Sequence, residues 1–175
     1  MKNIVLIGFM GTGKTSTGRL LAARLGKAFI DIDRKIESES GASIAELFAD
    51  KGEAFFREKE RDVINRVSRL RNAVIATGGG AVMNEENMQK LRESGVVVSL
   101  VASIAIILER TGRRNSRPLL NRPDRAEYTT RLYSERYELY KKADLIVDTS
   151  DISPHQVVDI IVSFLKREGY IHGRC

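Results

Sequence analysis

Short runs of apolar, mostly β-branched residues alternate along the chain with longer segments in which apolar positions recur at helical spacing. This alternation is typical of α/β proteins whose sheet is mainly parallel. The apolar runs predict five strands, at residues 3–7, 29–32, 73–77, 96–101 and 145–147. The pattern therefore predicts a three-layer α/β/α fold with a five-stranded parallel sheet.

Residues that start and stop helices lie between these strands. Ser43 and Glu46 have capping-box spacing, and Ser153 followed by Pro154 is a typical N-cap with proline at the first helical position. The predicted helices cover residues 14–25, 43–52, 53–69, 85–93 and 104–111, with a last helix from 154 onward. Each predicted strand is thus followed by a helical segment, as connections between parallel strands require.

Residues 112–125 break the pattern, because they carry neither helical nor strand periodicity. The segment GRRNSRPLLNRPDR contains two prolines and a high share of arginine. An irregular connection of this length in a small domain is more often a functional lid than an idle loop. We therefore predict a lid over the functional site.

Length and composition indicate one domain over residues 1–175 and an anionic partner. The chain is 42% hydrophobic and 30% charged, with a formal net charge of +6. A basic balance suits either nucleic acid or a small polyanion such as a nucleotide. Aromatic residues, on which bases stack, make up only 6% of the chain. The alternative of a nucleic-acid-binding module is therefore supported only by the positive net charge.

The single cysteine, Cys175, excludes an intramolecular disulfide and suggests a reducing compartment, so we expect a cytoplasmic protein. No signal-peptide pattern precedes the first glycine loop, and no apolar run approaches the length of a membrane span. The small size makes a monomer the default expectation.

The segment GFMGTGKT, residues 8–15, fits the motif G-x-x-x-x-G-K-[ST] between a predicted strand and a predicted helix. In such a loop, backbone N–H groups and the helix N-terminus hold phosphate oxygens. Lys14 would reach the β- and γ-phosphates, and the Thr15 hydroxyl would ligate Mg²⁺. The predicted ATP-binding residues here are Gly11, Thr12, Gly13, Lys14, Thr15 and Ser16. A glycine-rich turn that only links strand to helix is the alternative.

Asp31 and Asp33 stand at the end of the second predicted strand, where side chains two residues apart point to the same side of an extended chain. The strands that end at Thr77 and Val101 offer no acid, so Asp31 is the candidate for the magnesium water shell. Asp33 would accept a hydrogen bond from an acceptor hydroxyl. The alternative is that Asp33 caps a helix beginning at Arg34.

Three glycines follow the third strand, and three arginines stand out elsewhere. Gly78, Gly79 and Gly80 suit a place where a ligand or another backbone segment approaches closely, although a flexible left-handed turn is the alternative. Arg57, Arg117 and Arg136 are each compatible with a solvated surface charge. Together with the phosphate loop, they would supply a lid finger for the transferred phosphoryl group and forks for an acceptor carboxylate. The residues thus indicate a kinase for a small, carboxylated and hydroxylated acceptor.

Over residues 3–164 the chain resembles the bacterial P-loop shikimate kinase family, which has a nucleoside-monophosphate-kinase-like architecture. The motifs that carry this resemblance, in order, are GFMGTGKTSTGRLLA, FIDIDRKIE, FADKGEAFFREKE, ATGGGAV, RPLL, ERYELY and IVDTS. The resemblance implies transfer of the γ-phosphoryl group of ATP to the 3-hydroxyl of shikimate, with Mg²⁺, in aromatic amino acid biosynthesis. The chain does not depart from the family pattern at any core catalytic position.

The resemblance also implies roles for individual residues. Lys14, Asp33 and Arg117 would be catalytic, and Thr15 and Asp31 would serve the metal. Shikimate would be bound by Asp33, Arg57, Gly78, Gly79, Gly80 and Arg136. Arg110, Arg117 and Pro154 would complete the ATP site. Residues 33–60 would form a shikimate-binding subdomain and residues 112–125 the lid.

Two further alternatives remain at this point. Another small-molecule kinase of the same architecture, such as gluconate kinase, would have less use for Arg57 and Arg136 beside a triple glycine. A nucleotide-binding regulator without turnover is disfavoured by the intact Lys14, Asp33 and Arg117.

Overall fold

The structure is a computed structural model that describes residues 2–112 and 123–171. Its sheet has five parallel strands in the order β2-β3-β1-β4-β5. The strands are β1 (Asn3–Ile7), β2 (Ala28–Asp31), β3 (Ala73–Ala76), β4 (Gly95–Val101) and β5 (Leu145–Asp148). The predicted five-stranded parallel sheet is confirmed, and each strand boundary falls within one residue of its predicted place.

Seven α-helices and one short 3₁₀-helix connect these strands in the described part of the chain. They are α1 (Lys14–Leu25), α2 (Ile32–Ser40), α3 (Ile44–Val67), the 3₁₀-helix (Ala81–Met83), α4 (Glu85–Ser94), α5 (Ile104–Gly112), α6 (Arg125–Tyr140) and α7 (Pro154–Arg167). The predicted capping box of Ser43 and Glu46 forms at the start of α3. The predicted N-cap Ser153 is also confirmed at the start of α7, where it forms a capping box with Gln156 as well.

The three central strands, β1, β3 and β4, are buried on both faces, as expected for a parallel sheet between two helical layers. Along β1, Val5 and Ile7 belong to the apolar cluster that includes residues of α3, α4 and α6. Ile4 and Leu6 face the opposite cluster, which includes residues of α1 and α7. This alternation gives the three-layer α/β/α arrangement.

The chain geometry around Asp31 and Asp33 differs from the prediction. The Asp31 side chain accepts a hydrogen bond from the backbone N–H of Arg34, so Asp31 is the N-cap of α2. The helix begins at Ile32 and Asp33 lies in its first turn. The expectation of two carboxylates on one side of an extended chain is therefore wrong, because the side-chain cap turns the backbone into a helix one residue after the strand. The alternative in which Asp33 is the cap is also wrong.

The predicted break near Gly52 occurs within α3, where Gly52 has φ 80° and ψ 171° while the helix continues on both sides. Of the predicted lid, residues 113–122, including Arg117, lie outside the described residues. Within the described ranges, no helix combines the length and the apolar character needed to cross a membrane.

Candidate active site

The phosphate loop follows β1 directly and leads into α1, whose N-cap is Gly13. The Lys14 ammonium is buried and donates hydrogen bonds to the carbonyl oxygens of Gly8 at 2.7 Å and Phe9 at 2.8 Å. Backbone oxygens of the loop are therefore the hydrogen-bond acceptors of this lysine, and phosphate oxygens could replace them. Thr12 is fully buried, and Ser16 lies exposed in the first turn of α1.

Asp31 and Thr15 meet at the N-terminus of α1. The Thr15 hydroxyl donates a hydrogen bond to Asp31 Oδ2 at 2.8 Å, although the two residues belong to different elements. Two hard oxygen donors beside a phosphate loop suit Mg²⁺, which keeps several waters and takes other ligands from nucleotide phosphates. In the part of the chain that the structure describes, His, Cys, Asp and Glu form no group of three that could hold a metal alone.

A pocket opens beside the phosphate loop, between α2, α3, the segment after β3 and α6. It encloses about 480 Å³, part of it open to solvent. Its polar lining consists of Asp33, Arg57, Glu60 and Arg136, with Gly78, Gly79 and Gly80 as a backbone wall. The apolar lining consists of Met10, Ile44, Phe48 and Phe56. All six predicted acceptor-binding residues thus line one pocket.

The glycine wall is shaped by the charged side chains that press against it. A methyl group on Gly78 would lie 2.6 Å from Asp33 Oδ1, and one on Gly80 would lie 2.4 Å from the Arg57 guanidinium. Neither glycine has a positive φ angle, so the flexible left-handed turn is not what the glycines provide. Close approach explains these positions, but the groups that approach Gly78 and Gly80 are the side chains of Asp33 and Arg57, whereas the sequence predicted a ligand or another backbone segment.

Arg57 is held in place by two carboxylates on its own helix. Its Nη1 lies 2.8 Å from Glu60 Oε2 and its Nη2 lies 3.2 Å from Glu53 Oε1. Burial raises the pKa of Glu60, although the positive charge of Arg57 works in the opposite direction. Glu60 is 1% exposed, and its second oxygen, Oε1, has no hydrogen-bond partner among the described residues.

Arg136 reaches the same pocket from α6. Its side chain is 7% exposed, and its Nε has no hydrogen-bond partner in the described part of the protein. A buried guanidinium with an unused donor is costly unless a ligand completes its hydrogen bonds. A bound anion would supply such an acceptor.

On the nucleotide side, Arg110 from α5 is tied to the phosphate loop. Its guanidinium donates to the carbonyl oxygens of Gly11 at 3.3 Å and Thr149 at 2.6 Å. The Thr149 hydroxyl in turn donates to the Thr12 carbonyl oxygen at 3.0 Å. Pro154 is exposed at the start of α7, and no described contact joins it to Arg110.

Sequence reasoning missed several residues of the site. Glu60 stands one helical turn after Arg57, and this spacing could have revealed it. Thr149 is the fourth residue of the IVDTS motif, which carried no local chemical signal. The apolar lining residues Met10, Ile44, Phe48 and Phe56 resemble ordinary core positions in the sequence, so only the fold could assign them to a pocket.

A phosphate loop and a second polar pocket at the carboxyl edge of a parallel sheet define a P-loop α/β protein of the NTPase type with an adjoining acceptor site. Residues 10–166 match the model of the family described as shikimate kinase. The chain belongs to the shikimate kinase family.

Individual relatives agree with this assignment. The shikimate kinase of Pelotomaculum thermopropionicum is 46% identical over 98% of this chain and 99% of its own length. That of Thermodesulfovibrio yellowstonii is 44% identical over 95% and 96%. A solved structure of shikimate kinase from Acinetobacter baumannii in complex with shikimate is 35% identical, with a TM-score of 0.93 over 96% of this chain and 94% of that one.

Proposed function

We propose that this protein is a shikimate kinase that transfers the γ-phosphoryl group of ATP to the 3-hydroxyl of shikimate, giving ADP and shikimate 3-phosphate. The observation that carries the proposal is the pocket in which Arg57, Arg136 and Asp33 converge beside the phosphate loop. Family membership supplies the identity of the acceptor.

The acceptor would be oriented by charge at one end and by hydrogen bonds at the other. Arg57 and Arg136 would bind the shikimate carboxylate, since guanidinium groups match the planar geometry of a carboxylate. Asp33 would accept a hydrogen bond from the 3-hydroxyl, and the backbone of Gly78, Gly79 and Gly80 would lie against the ring. Glu60 would fix the orientation of the Arg57 guanidinium through its ion pair with Nη1.

The nucleotide would be bound by the phosphate loop through Gly11, Thr12, Gly13, Lys14, Thr15 and Ser16. Lys14 would exchange the Gly8 and Phe9 carbonyl oxygens for phosphate oxygens, which bind an ammonium group more strongly. Arg110 and Pro154 would lie on the adenine side. The hydrogen bonds of Arg110 to Gly11 and Thr149 support a place for Arg110 in the nucleotide site, because Gly11 belongs to the phosphate loop.

The pair of oxygens at Thr15 and Asp31 fits a nucleotide-bound Mg²⁺ ion. When bound, the ion would neutralise the charge that develops between the β- and γ-phosphates. Thr15 would ligate it directly, and Asp31 would hold a water of its shell. Asp31 also caps α2, so the same carboxylate would fix the start of the helix that presents Asp33.

Phosphoryl transfer through a loose transition state needs alignment more than a strong base. Asp33 would therefore act mainly by holding the 3-hydroxyl in line with the γ-phosphorus. Arg117, which lies outside the described residues, is proposed to touch the phosphates from the lid. Arg117→Ala should then lower kcat far more than it weakens shikimate binding.

The test is a coupled assay of ADP release with ATP and Mg²⁺, comparing shikimate, gluconate, quinate and no acceptor. We expect release that requires shikimate and that falls by at least about 100-fold in Asp33→Asn. Asp62→Asn, which changes an exposed aspartate of α3, is the matched control and should keep wild-type activity. ADP release with gluconate but not with shikimate would identify another small-molecule kinase. Binding of ATP without turnover on any acceptor would indicate a nucleotide-binding regulator.

A cytoplasmic location and a monomeric state belong to the same proposal. The location is supported by the presence of one cysteine in 175 residues. Size-exclusion chromatography with light scattering tests the monomer, for which the mass should be 19.6 kDa.

A further inference from the structure

Tyr140 stands at the last position of α6, one turn after Arg136, and it does not line the acceptor pocket. Its side chain is fully buried. Its hydroxyl donates a hydrogen bond of 2.6 Å to the carbonyl oxygen of Gly79, the central residue of the glycine wall. A buried tyrosine thus joins the end of α6 to a segment 61 positions away in the sequence.

The same hydroxyl is in contact with Arg136. Burial raises the pKa of Tyr140, although the charge of Arg136 and a hydrogen bond with its side chain work in the opposite direction. The phenol therefore stays protonated at any assay pH. Its one proton goes to Gly79, which leaves the lone pairs of the oxygen for Arg136.

A peptide group is planar and trans, so its carbonyl and the following N–H point in opposite directions. Fixing the Gly79 carbonyl also fixes the Gly80 N–H within the wall of the pocket.

We propose that Tyr140 is a positioning residue for the phosphoryl acceptor, because its hydroxyl holds the glycine wall and the Arg136 side chain in one fixed arrangement. This inference rests on the proposed function, since it concerns the site of the shikimate ring and carboxylate. Tyr140 acts through Gly79 and Arg136 and does not touch the acceptor itself.

The test is Tyr140→Phe, which keeps the buried ring and removes only the hydroxyl. Loss of one hydrogen bond of this kind should raise the KM for shikimate roughly three- to tenfold. The KM for ATP should stay unchanged, because the described hydrogen bonds of the Tyr140 hydroxyl go to the acceptor side, to Gly79 and Arg136. Direct calorimetric titration with shikimate should show the same weakening without nucleotide.

Tyr133→Phe is the matched control. Tyr133 is also a buried tyrosine of α6, its hydroxyl is paired with the Ala102 backbone, and it lines no part of the pocket. Both variants should lose stability, measured by urea unfolding, but only Tyr140→Phe should lose affinity for shikimate. A purely structural role for Tyr140 predicts equal behaviour of the two variants.

A second measurement uses the wild-type protein, so it does not depend on the folding of a variant. The Tyr140 hydroxyl proton should give a slowly exchanging proton resonance that shifts when shikimate is added. An unchanged KM in Tyr140→Phe, or a resonance insensitive to shikimate, would overturn the inference. If the wild-type protein does not phosphorylate shikimate at all, both the proposed function and this inference fail. If the wild-type protein is active but the KM of Tyr140→Phe is unchanged, only the inference fails.

Discussion

Glu60 is a buried carboxylate that lines the pocket, with one oxygen in an ion pair and the other without a hydrogen-bond partner among the described residues. Because burial raises its pKa above the ordinary value of 4.5, the folded protein binds a proton here more readily than the unfolded chain does. The stability that this group contributes is therefore complete below the ordinary glutamate pKa and is lost as pH rises through the raised pKa. Binding of the acceptor should instead strengthen as pH rises through the raised pKa, because the charged form of Glu60 is the one that holds Arg57 in place.

The first prediction concerns this carboxylate. Glu60→Gln should raise the KM for shikimate by roughly 10-fold, because a hydrogen bond to a charged group contributes about 1.5–3 kcal/mol. In the wild-type enzyme, the same KM should rise as pH falls through the raised pKa of Glu60, whereas the variant should not show this step. The measurement is KM for shikimate against pH.

Glu53→Gln is the control for this prediction, because Glu53 pairs with the same arginine but its side chain is 58% exposed. Its effect on KM should be small, since exposed ion pairs contribute little. Equal effects of the two substitutions would show that burial of Glu60 is not what matters.

The second prediction concerns Arg136. Arg136→Ala should raise the KM for shikimate by about 100-fold, as expected for the loss of a buried charge-assisted contact, with a smaller change in the KM for ATP. Arg131→Ala, on the exposed face of the same helix, should leave both constants unchanged. Steady-state kinetics with each substrate varied in turn will decide, and an unaltered shikimate KM would remove Arg136 from the acceptor site.

At the scale of elements, the kink in α3 separates the part that carries Ile44 and Phe48 from the part that carries Phe56, Arg57 and Glu60. All of these residues line the pocket, so the two parts of the helix approach it from different directions. The break is at Gly52, whose φ of 80° and ψ of 171° lie in a region that is essentially restricted to glycine.

The third prediction follows from this backbone conformation. Apart from the neighbouring backbone, no atom of the described residues lies within 4 Å of the place where a side chain on Gly52 would begin, so the strain in Gly52→Ala comes from the backbone conformation itself. We expect a loss of about 1–3 kcal/mol in the free energy of unfolding, measured in urea. Asp50→Ala, at an exposed position two residues earlier, should change it by less than about 0.5 kcal/mol.

At the scale of the whole molecule, the nucleotide and acceptor sites share the carboxyl edge of one sheet. The phosphate loop follows β1 and the glycine wall follows β3, which pairs directly with β1. Asp31 ends β2 on the far side of β3. Both ligands should therefore stabilise the same folded unit.

The fourth prediction is thermal stabilisation by each substrate. At 100 times its dissociation constant a ligand adds about 2.7 kcal/mol, which for a protein of this size raises Tm by about 5–10 °C. Shikimate and ATP with Mg²⁺ should each produce such a rise in a thermal shift assay, and gluconate should not. A rise with ATP alone would restrict the functional assignment to nucleotide binding.

Parts of the fold and site could be predicted because their signals are local. The phosphate loop, the strand boundaries, the capping box at Ser43 and the N-cap at Ser153 depend on residues within a few positions of one another. The geometry after β2 was predicted wrongly because two local rules compete there. Alternation along the strand favoured an extended conformation through Asp33. The Asp31 side chain instead accepts a hydrogen bond from the Arg34 N–H, so the helix α2 begins at Ile32.

The sequence by itself determined the order of strands and helices, the phosphate loop, the family, and which charged residues were candidates. Only the tertiary structure decided that Glu60 joins Arg57 and Arg136 at the pocket, and that Tyr140 bonds to Gly79. The physical reason is that periodicity and capping act within one or two helical turns. Burial, ion pairing and close approach depend on which distant segments the packed sheet brings together.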